Sequence, residues 1–247
     1  MKFSITRLET TASTQNALME CAEKENLPEG SVFICKNQYA GKGQGTNKWE
    51  SEDGENLTFS LLLKPSFLPI SCQFDLMQAL SLAIKDFVGE YVGNKVRIKW
   101  PNDIYVGKDK ICGCLLQYKV VGNTADVAYC GIGININQEK FSFAPNPTSL
   151  YLQTGRKYNL EKMFDELLQA VARRYDELRS GEIGRIKAEY LEYLLYKDIP
   201  AEYIHKGKTI KATIKDVDSY GHLILRQDNG EMLNVELKEL VFTHREA

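Results

Sequence analysis

Four short stretches hold the residues best suited to chemistry. In GKGQGTNKWES, residues 41–51, three glycines (Gly41, Gly43, Gly45) remove the Cβ atoms that keep ligands off a backbone, and Lys42 and Lys48 place positive charge beside them. Exposed N–H groups next to a fixed cation suit a phosphate or a carboxylate, although the spacing alone also fits a glycine-rich hairpin tip. The stretch is not a P-loop, because the lysine-serine/threonine ending is absent. Nor is it a dinucleotide fingerprint, because no helical period follows.

The second stretch is KWPNDIYVGKDK, residues 99–110. Pro101 biases Trp100 towards an extended backbone, so Asn102 and Asp103 present an amide and a carboxylate at a strand junction. An amide both donates and accepts, which lets it read a nucleobase edge; a plain tight turn would look the same. In the third, DKICGCLLQ, Lys110 opens an apolar strand and Gly113 leaves a bare place where a ligand would lie flat. A snorkelling lysine also fits that position. The fourth, GIGININ at residues 131–137, combines glycine gaps with Asn135 and Asn137.

The elements that must position these residues follow from periodicity. KFSITRL and SVFICKN alternate as strands around a helix in TQNALMECAEK, and NLTFSLLLK is a third strand. Residues 72–92 carry Leu76, Leu80, Ala83, Ile84, Phe87 and Val88 as the stripe of a core-facing helix. KVRIKW, DIYV and KICGCLLQYKV are short strands, and ADVAYCGIGININ is a longer, central one, apolar on both faces at its end. Asn159 is placed to cap a helix striped by Leu160, Met163, Phe164, Leu167, Leu168, Val171 and Tyr175, and a second helix is expected over residues 182–196. From about Ala201, short alternating runs broken at Ser219-Tyr220-Gly221 and Asp228-Asn229-Gly230 form a small β appendage. At well under ~70 residues it lacks the apolar mass for its own core and is expected to dock on the rest.

Composition limits the partners. The chain has 247 residues, 43% of them hydrophobic and 26% charged, with a net charge of −2, which does not favour a nucleic-acid surface. The amino-terminal MKFSITRLETTAST has no long apolar run, so the expectation is a cytoplasmic protein that no membrane segment anchors. Cys21, Cys35, Cys72, Cys112, Cys114 and Cys130 lie mostly in apolar runs, where reduced thiols act as small core hydrophobes, and no disulfide is expected. Cys112 and Cys114 are the one close pair, whereas His205, His222 and His244 all lie in the tail, which speaks against a mixed metal centre.

Taken together and in order, GKGQGTNKW, KWPND, KICGCL and GIGININ resemble the signature of the biotin protein ligases. That family carries a G-[RK]-G-x-x-G-x-x-W loop, a K-W-P-N-D segment, a K-x-x-G-x-L strand and a G-x-G-x-N-x-N strand. STQN at residues 13–16 resembles the S-T-[NQ] element that opens the ligase domain. The resemblance implies an α+β fold: a class II synthetase-like mixed β-sheet packed with helices over residues 1–198, and a small SH3-like β-barrel over residues 199–247. Because STQN comes so early, it also implies a form without the DNA-binding domain that some members carry, hence no DNA partner.

The activity implied is two-step. The biotin carboxylate attacks the α-phosphate of ATP to give biotinyl-5′-AMP and pyrophosphate; a lysine of a biotin carboxyl carrier protein or carboxylase subunit then takes the biotinyl group and AMP leaves. By the same resemblance Lys110 is the catalytic residue. Ser13, Thr14, Gln15, Gln38, Gly41, Lys42, Gly43, Gln44, Lys110 and Gly113 bind biotin. Lys42, Gln44, Trp49, Asn102, Ile134 and Asn135 bind ATP and the adenylate. Mg²⁺ arrives on the phosphates, with Asp103 as an outer partner. A homodimer is left open, and the alternative within the fold is a lipoate or octanoate ligase.

Two departures from the pattern concern the glycine loop. Lys42 and Gln44 stand where many members have arginines, and the third glycine is Gly45 rather than position 46, which is Thr46. With little apolar content, residues 39–50 are expected to order on ligand, and Gln44 to grip the adenylate weakly enough that some escapes.

Overall fold

The computed structural model describes residues 1–45, 47–122 and 124–243; Thr46 and His244 lie outside them. Strand β1 (Ser4–Thr11), helix α1 (Thr14–Lys24), β2 (Ser31–Gln38) and β3 (Leu57–Leu63) come first. Helix α2 (Gln73–Val92) then leads to β4 (Val96–Lys99), β5 (Asp103–Val106), β6 (Asp109–Val121) and β7 (Thr124–Ile134). Among the described residues these strands form one seven-stranded sheet in the order β1-β2-β3-β7-β6-β5-β4. The β1–β2 pair is parallel and the other pairs are antiparallel, so the sheet is mixed. Its middle strand is β7, as the unbroken apolar run of that segment predicts.

The two faces differ. In β3, Leu57, Phe59, Leu61 and Leu63 point into the large core beneath α2 and α4 (Leu160–Arg179). Thr58, Ser60 and Leu62 point to the other face, where α1 packs with Leu18 against Leu62, Val127 and Tyr129. Asn159 caps α4 as expected, its side chain accepting from Lys162 N at 3.0 Å.

The last main-sheet helix, α5 (Ile183–Glu192), ends earlier than its period suggests. Ile98 N donates to Tyr193 O and Leu195 N to Ile98 O, so the chain leaves the helix to cover edge strand β4, with Tyr196 and Asp198 at positive φ. Covering an otherwise open sheet edge outweighs another turn of helix.

The tail is a five-stranded antiparallel sheet in the order β11-β10-β9-β8-β12, built from β8 (Pro200–His205), β9 (Lys208–Val217), β10 (Leu223–Gln227), β11 (Met232–Val235) and β12 (Leu240–Phe242). Its Tyr203, Ala212, Ile214, Val217, Leu223 and Leu225 share one continuous core with the main sheet. Trp100 Nε1 donates to Gly221 O at 2.9 Å and Phe74 packs against Gly221, so the tail rests on the KWPND segment. All six cysteines are free, and no helix among the described residues is long and apolar enough to cross a membrane.

Candidate active site

Register builds the floor of the site. Across β3, β7 and β6, Thr58 pairs with Gly133 and Gly133 with Gly113; one step along, Ser60 pairs with Gly131 and Gly131 with Leu115. Side chains at matching positions share a face, so the glycines leave a trough flanked by two hydroxyls and one leucine. Glycine is required here by contact. A Cβ at Gly133 would lie 2.4 Å from Trp49 Cε2, and one at Gly131 2.7 Å from Gln15 Oε1.

Helix α1 closes one end of the trough. Ser13 caps the helix by accepting from Asn16 N, Thr14 N donates to Gln38 Oε1 at 2.9 Å, and the Thr14 and Ser60 hydroxyls lie 2.9 Å apart. Gln15, also buried, donates to Tyr129 O at 3.1 Å. This end therefore gathers hydroxyls and amides with spare hydrogen-bonding capacity.

The glycine loop roofs the trough. Gly43 N donates to Asn47 O at 2.8 Å and Trp49 N to Gly41 O at 3.0 Å, with Lys42 bridged to Lys48 and Gly45 at φ +66° in the turn. That left-handed angle explains a glycine at position 45. The Trp49 ring lies over Gly113 and Gly133. Its Nε1 is buried and has no hydrogen-bond partner among the described residues. One expectation is corrected here: the bare place at Gly113 is covered by an indole, because glycine backbone offers the same flat surface to a ring that it offers to a ligand.

Roofed in this way, the trough becomes a cavity of about 120 Å³ lined by Ser13, Thr14, Gln15, Gln38, Lys42, Gly43, Gln44, Asn102, Asp103, Lys110 and Gly113, among others. A second cavity of about 160 Å³ lies between residues 47–50 and Asn135, Phe141, Phe143, Ala144, Pro145 and Pro147. Asn47, Lys48, Trp49 and Lys110 line both. Lys110 Nζ sits 2.7 Å from Asp103 Oδ2, and its backbone is pinned by bonds to Asn146 O and from Thr148 N. Nearby, burial pulls the Lys99 ammonium below its usual pKa, Asp103 opposes that and Lys110 adds to it.

All but two of the residues that the resemblance assigns to biotin, the nucleotide or catalysis line these cavities. Ile134 is fully buried in the core, and Gly41 is buried against Trp49 and Gln38. Of the two asparagines in GIGININ, Asn137 is spent on the backbone of Tyr158, which it both donates to and accepts from. Asn135, which lines the second cavity, donates to Thr148 O, while its buried Oδ1 has no partner among the described residues. Asn102 lines the first cavity and donates to Cys114 O. Burial pushes the Cys114 thiol up to about 12 and Cys112 well above its usual value, and no cluster of three metal-ligating side chains exists among the described residues.

Sequence reasoning passed over Thr58, Ser60 and Glu50. Thr58 and Ser60 had a signal: two hydroxyls at alternate positions in the otherwise apolar LTFSLLL mark one face that is not core.

A mixed sheet with a roofed glycine trough and a lysine between two cavities is the architecture of a known class. The chain matches the biotin protein ligase from Aquifex aeolicus, solved in complex with biotin and ATP, with a TM-score of 0.78 over 96% of this chain and 97% of that one; identity is 22%, so the likeness is one of fold. Residues 8–135 match the Biotin/lipoate A/B protein ligase family, and the chain belongs to that family. The bifunctional ligase/repressor BirA of Bacillus subtilis (strain 168) is 27% identical over 223 residues, covering 89% of this chain and 68% of that protein. The biotin–[acetyl-CoA-carboxylase] ligase of Paracoccus denitrificans is 26% identical over 212 residues, covering 83% and 88%.

Proposed function

We propose that the chain is an ATP-dependent ligase that activates biotin as biotinyl-5′-AMP and transfers it to a lysine of a biotin carboxyl carrier protein or carboxylase subunit. The observation that carries this reading is Lys110, which with Lys48 lines both cavities and whose ammonium is held by Asp103. An acid bound in the first and a nucleotide in the second would meet at its ammonium.

The first cavity takes biotin. Its polar end, with Ser13, Thr14, Gln38 and Ser60, matches a neutral ureido ring that needs donors and acceptors together, and suits a lipoyl or octanoyl tail poorly. Gln15, Lys42, Gly43, Gln44 and Gly113 complete its lining. The second cavity takes the adenosine. Trp49 and Asn135 line it, and Asn102, in the first cavity, flanks the junction. Neither Ile134 nor Gly41 contributes a lining side chain.

Negative charge builds on the α-phosphate as the carboxylate attacks, and the Lys110 ammonium, held in place by Asp103, stabilises it. Mg²⁺ travels on the phosphates, since Asp103 already serves Lys110. The roof excludes water from a mixed anhydride that hydrolyses readily. In the second step an acceptor lysine attacks the acyl carbon and AMP leaves. The tail is an SH3-like unit beginning near residue 199. The protein works in the cytoplasm.

Biotin-dependent exchange of radiolabelled pyrophosphate into ATP tests the reading directly. Exchange that needs biotin supports it; no exchange by folded protein, or exchange driven by lipoate or octanoate instead, overturns it.

A further inference from the structure

Residues 141–147 have neither helix nor strand, so their backbone N–H groups need partners from elsewhere. Glu50, adjacent to Trp49 and at the end of the glycine loop, supplies three of them. Its Oε1 accepts from Ser142 N at 2.6 Å, and its Oε2 accepts from Phe143 N and Ala144 N, each at 3.1 Å. Successive N–H groups turned to one anion form a nest, and charge-assisted bonds of this kind are about twice as strong as neutral ones. Burial pushes the Glu50 carboxyl up, but the bonds from Phe143, Ser142 and Ala144 outweigh it and hold the group below the usual carboxylate range.

The location gives these bonds a consequence. One wall of the second cavity is residues 47–50 and the other includes residues 141–147, so Glu50 ties wall to wall. The far end of the same segment is held by Lys110, through Lys110 N to Asn146 O at 2.7 Å and Thr148 N to Lys110 O at 2.9 Å. The first cavity, by contrast, has no lining residue from 141–147.

We propose that Glu50 is a positioning residue: a latch that joins the glycine loop to residues 141–147 and so sets the nucleotide subsite directly, and the biotin subsite only through the loop. The inference rests on the ligase reading for its substrates, but the latch itself is a structural link that can be measured without turnover.

The test uses the full chain carrying Glu50→Ala, with Glu50→Gln, which keeps the shape and one acceptor oxygen, as the milder variant. In pyrophosphate exchange, Glu50→Ala is expected to raise KM for ATP about tenfold and KM for biotin by less, with Glu50→Gln between Glu50→Ala and wild type. Amide hydrogen exchange without ligand is expected to quicken at Ser142, Phe143 and Ala144 and also at Gly43 and Trp49 across the loop. Equal changes in both KM values, no change in either, or faster exchange confined to residues 142–144 would overturn the latch. If wild-type protein shows no biotin-dependent exchange, the ligase reading fails alone and the amide pattern decides the latch.

Discussion

At the scale of single residues, the chemistry concentrates on one ammonium. Lys110 is about one-quarter exposed and paired with a carboxylate of similar exposure, so the pair itself adds little to folding stability. Its value lies in orientation. Lys110→Ala is expected to slow formation of biotinyl-adenylate by roughly 10²–10³-fold, the usual loss for one preorganised charge-stabilising donor, with little change in thermal midpoint. Single-turnover adenylation followed by pyrophosphate release checks this, and near wild-type turnover would move the role to another cation, Lys42 first. Asp103→Asn keeps the shape but frees the ammonium to wander, so a smaller loss of about tenfold is expected in the same assay. Both residues were legible in the sequence, because KWPND and KICGCL place a carboxylate and a lysine on adjoining strands. Glu50 was not legible, since its partners lie 92 to 94 residues away and are backbone N–H groups that leave no mark in the side-chain pattern.

At the scale of elements, the period of each segment explains most of what formed. Alternation in β3 separates a core face from a site face, and the Asn159 cap starts α4 where the pattern starts. What the pattern missed depended on contacts between elements. The end of α5 answers to the open edge of β4, and the glycine loop gains order from a ring seated on two glycines of other strands. That seat is testable. Gly133→Ala puts a methyl where Trp49 Cε2 and Nε1 lie, 2.4 and 2.5 Å from the new atom, and real Cβ atoms do not tolerate such distances. The indole must lift. Faster amide exchange at Gly43 and Trp49 and a red-shifted Trp49 emission are expected, read in a Trp100→Phe background so that one tryptophan reports. Unaltered exchange and emission would mean that the loop does not depend on this contact.

At the scale of the whole molecule, the tail and the site meet at one segment. Trp100 belongs to KWPND, whose next residues place Asn102 and Asp103 in the cavity, and its Nε1 holds Gly221 O of the tail while its ring lies in the shared core. Tyr190 donates to Pro101 O at 2.9 Å from the opposite side, and Lys187 pairs with Asp216 at 3.0 Å. The β appendage and its docking were legible from its size and turns, but the point of contact was not, because a tryptophan in a motif looks the same whether it faces ligand or tail. Trp100→Phe separates these roles. It keeps most of the buried ring and removes one hydrogen bond, leaving Gly221 O unpaired at a partly buried junction. A loss of about 1 kcal/mol follows from that bond, which in a chain of this size lowers the thermal midpoint by roughly 2–4 °C. If the tail only covers the core, activity per folded molecule will stay at the wild-type level. If it sets the KWPND segment, activity per folded molecule will fall, because Asn102 and Asp103 line the first cavity and Asp103 holds Lys110. The second outcome is expected, and pyrophosphate exchange measured well below the midpoint distinguishes the two.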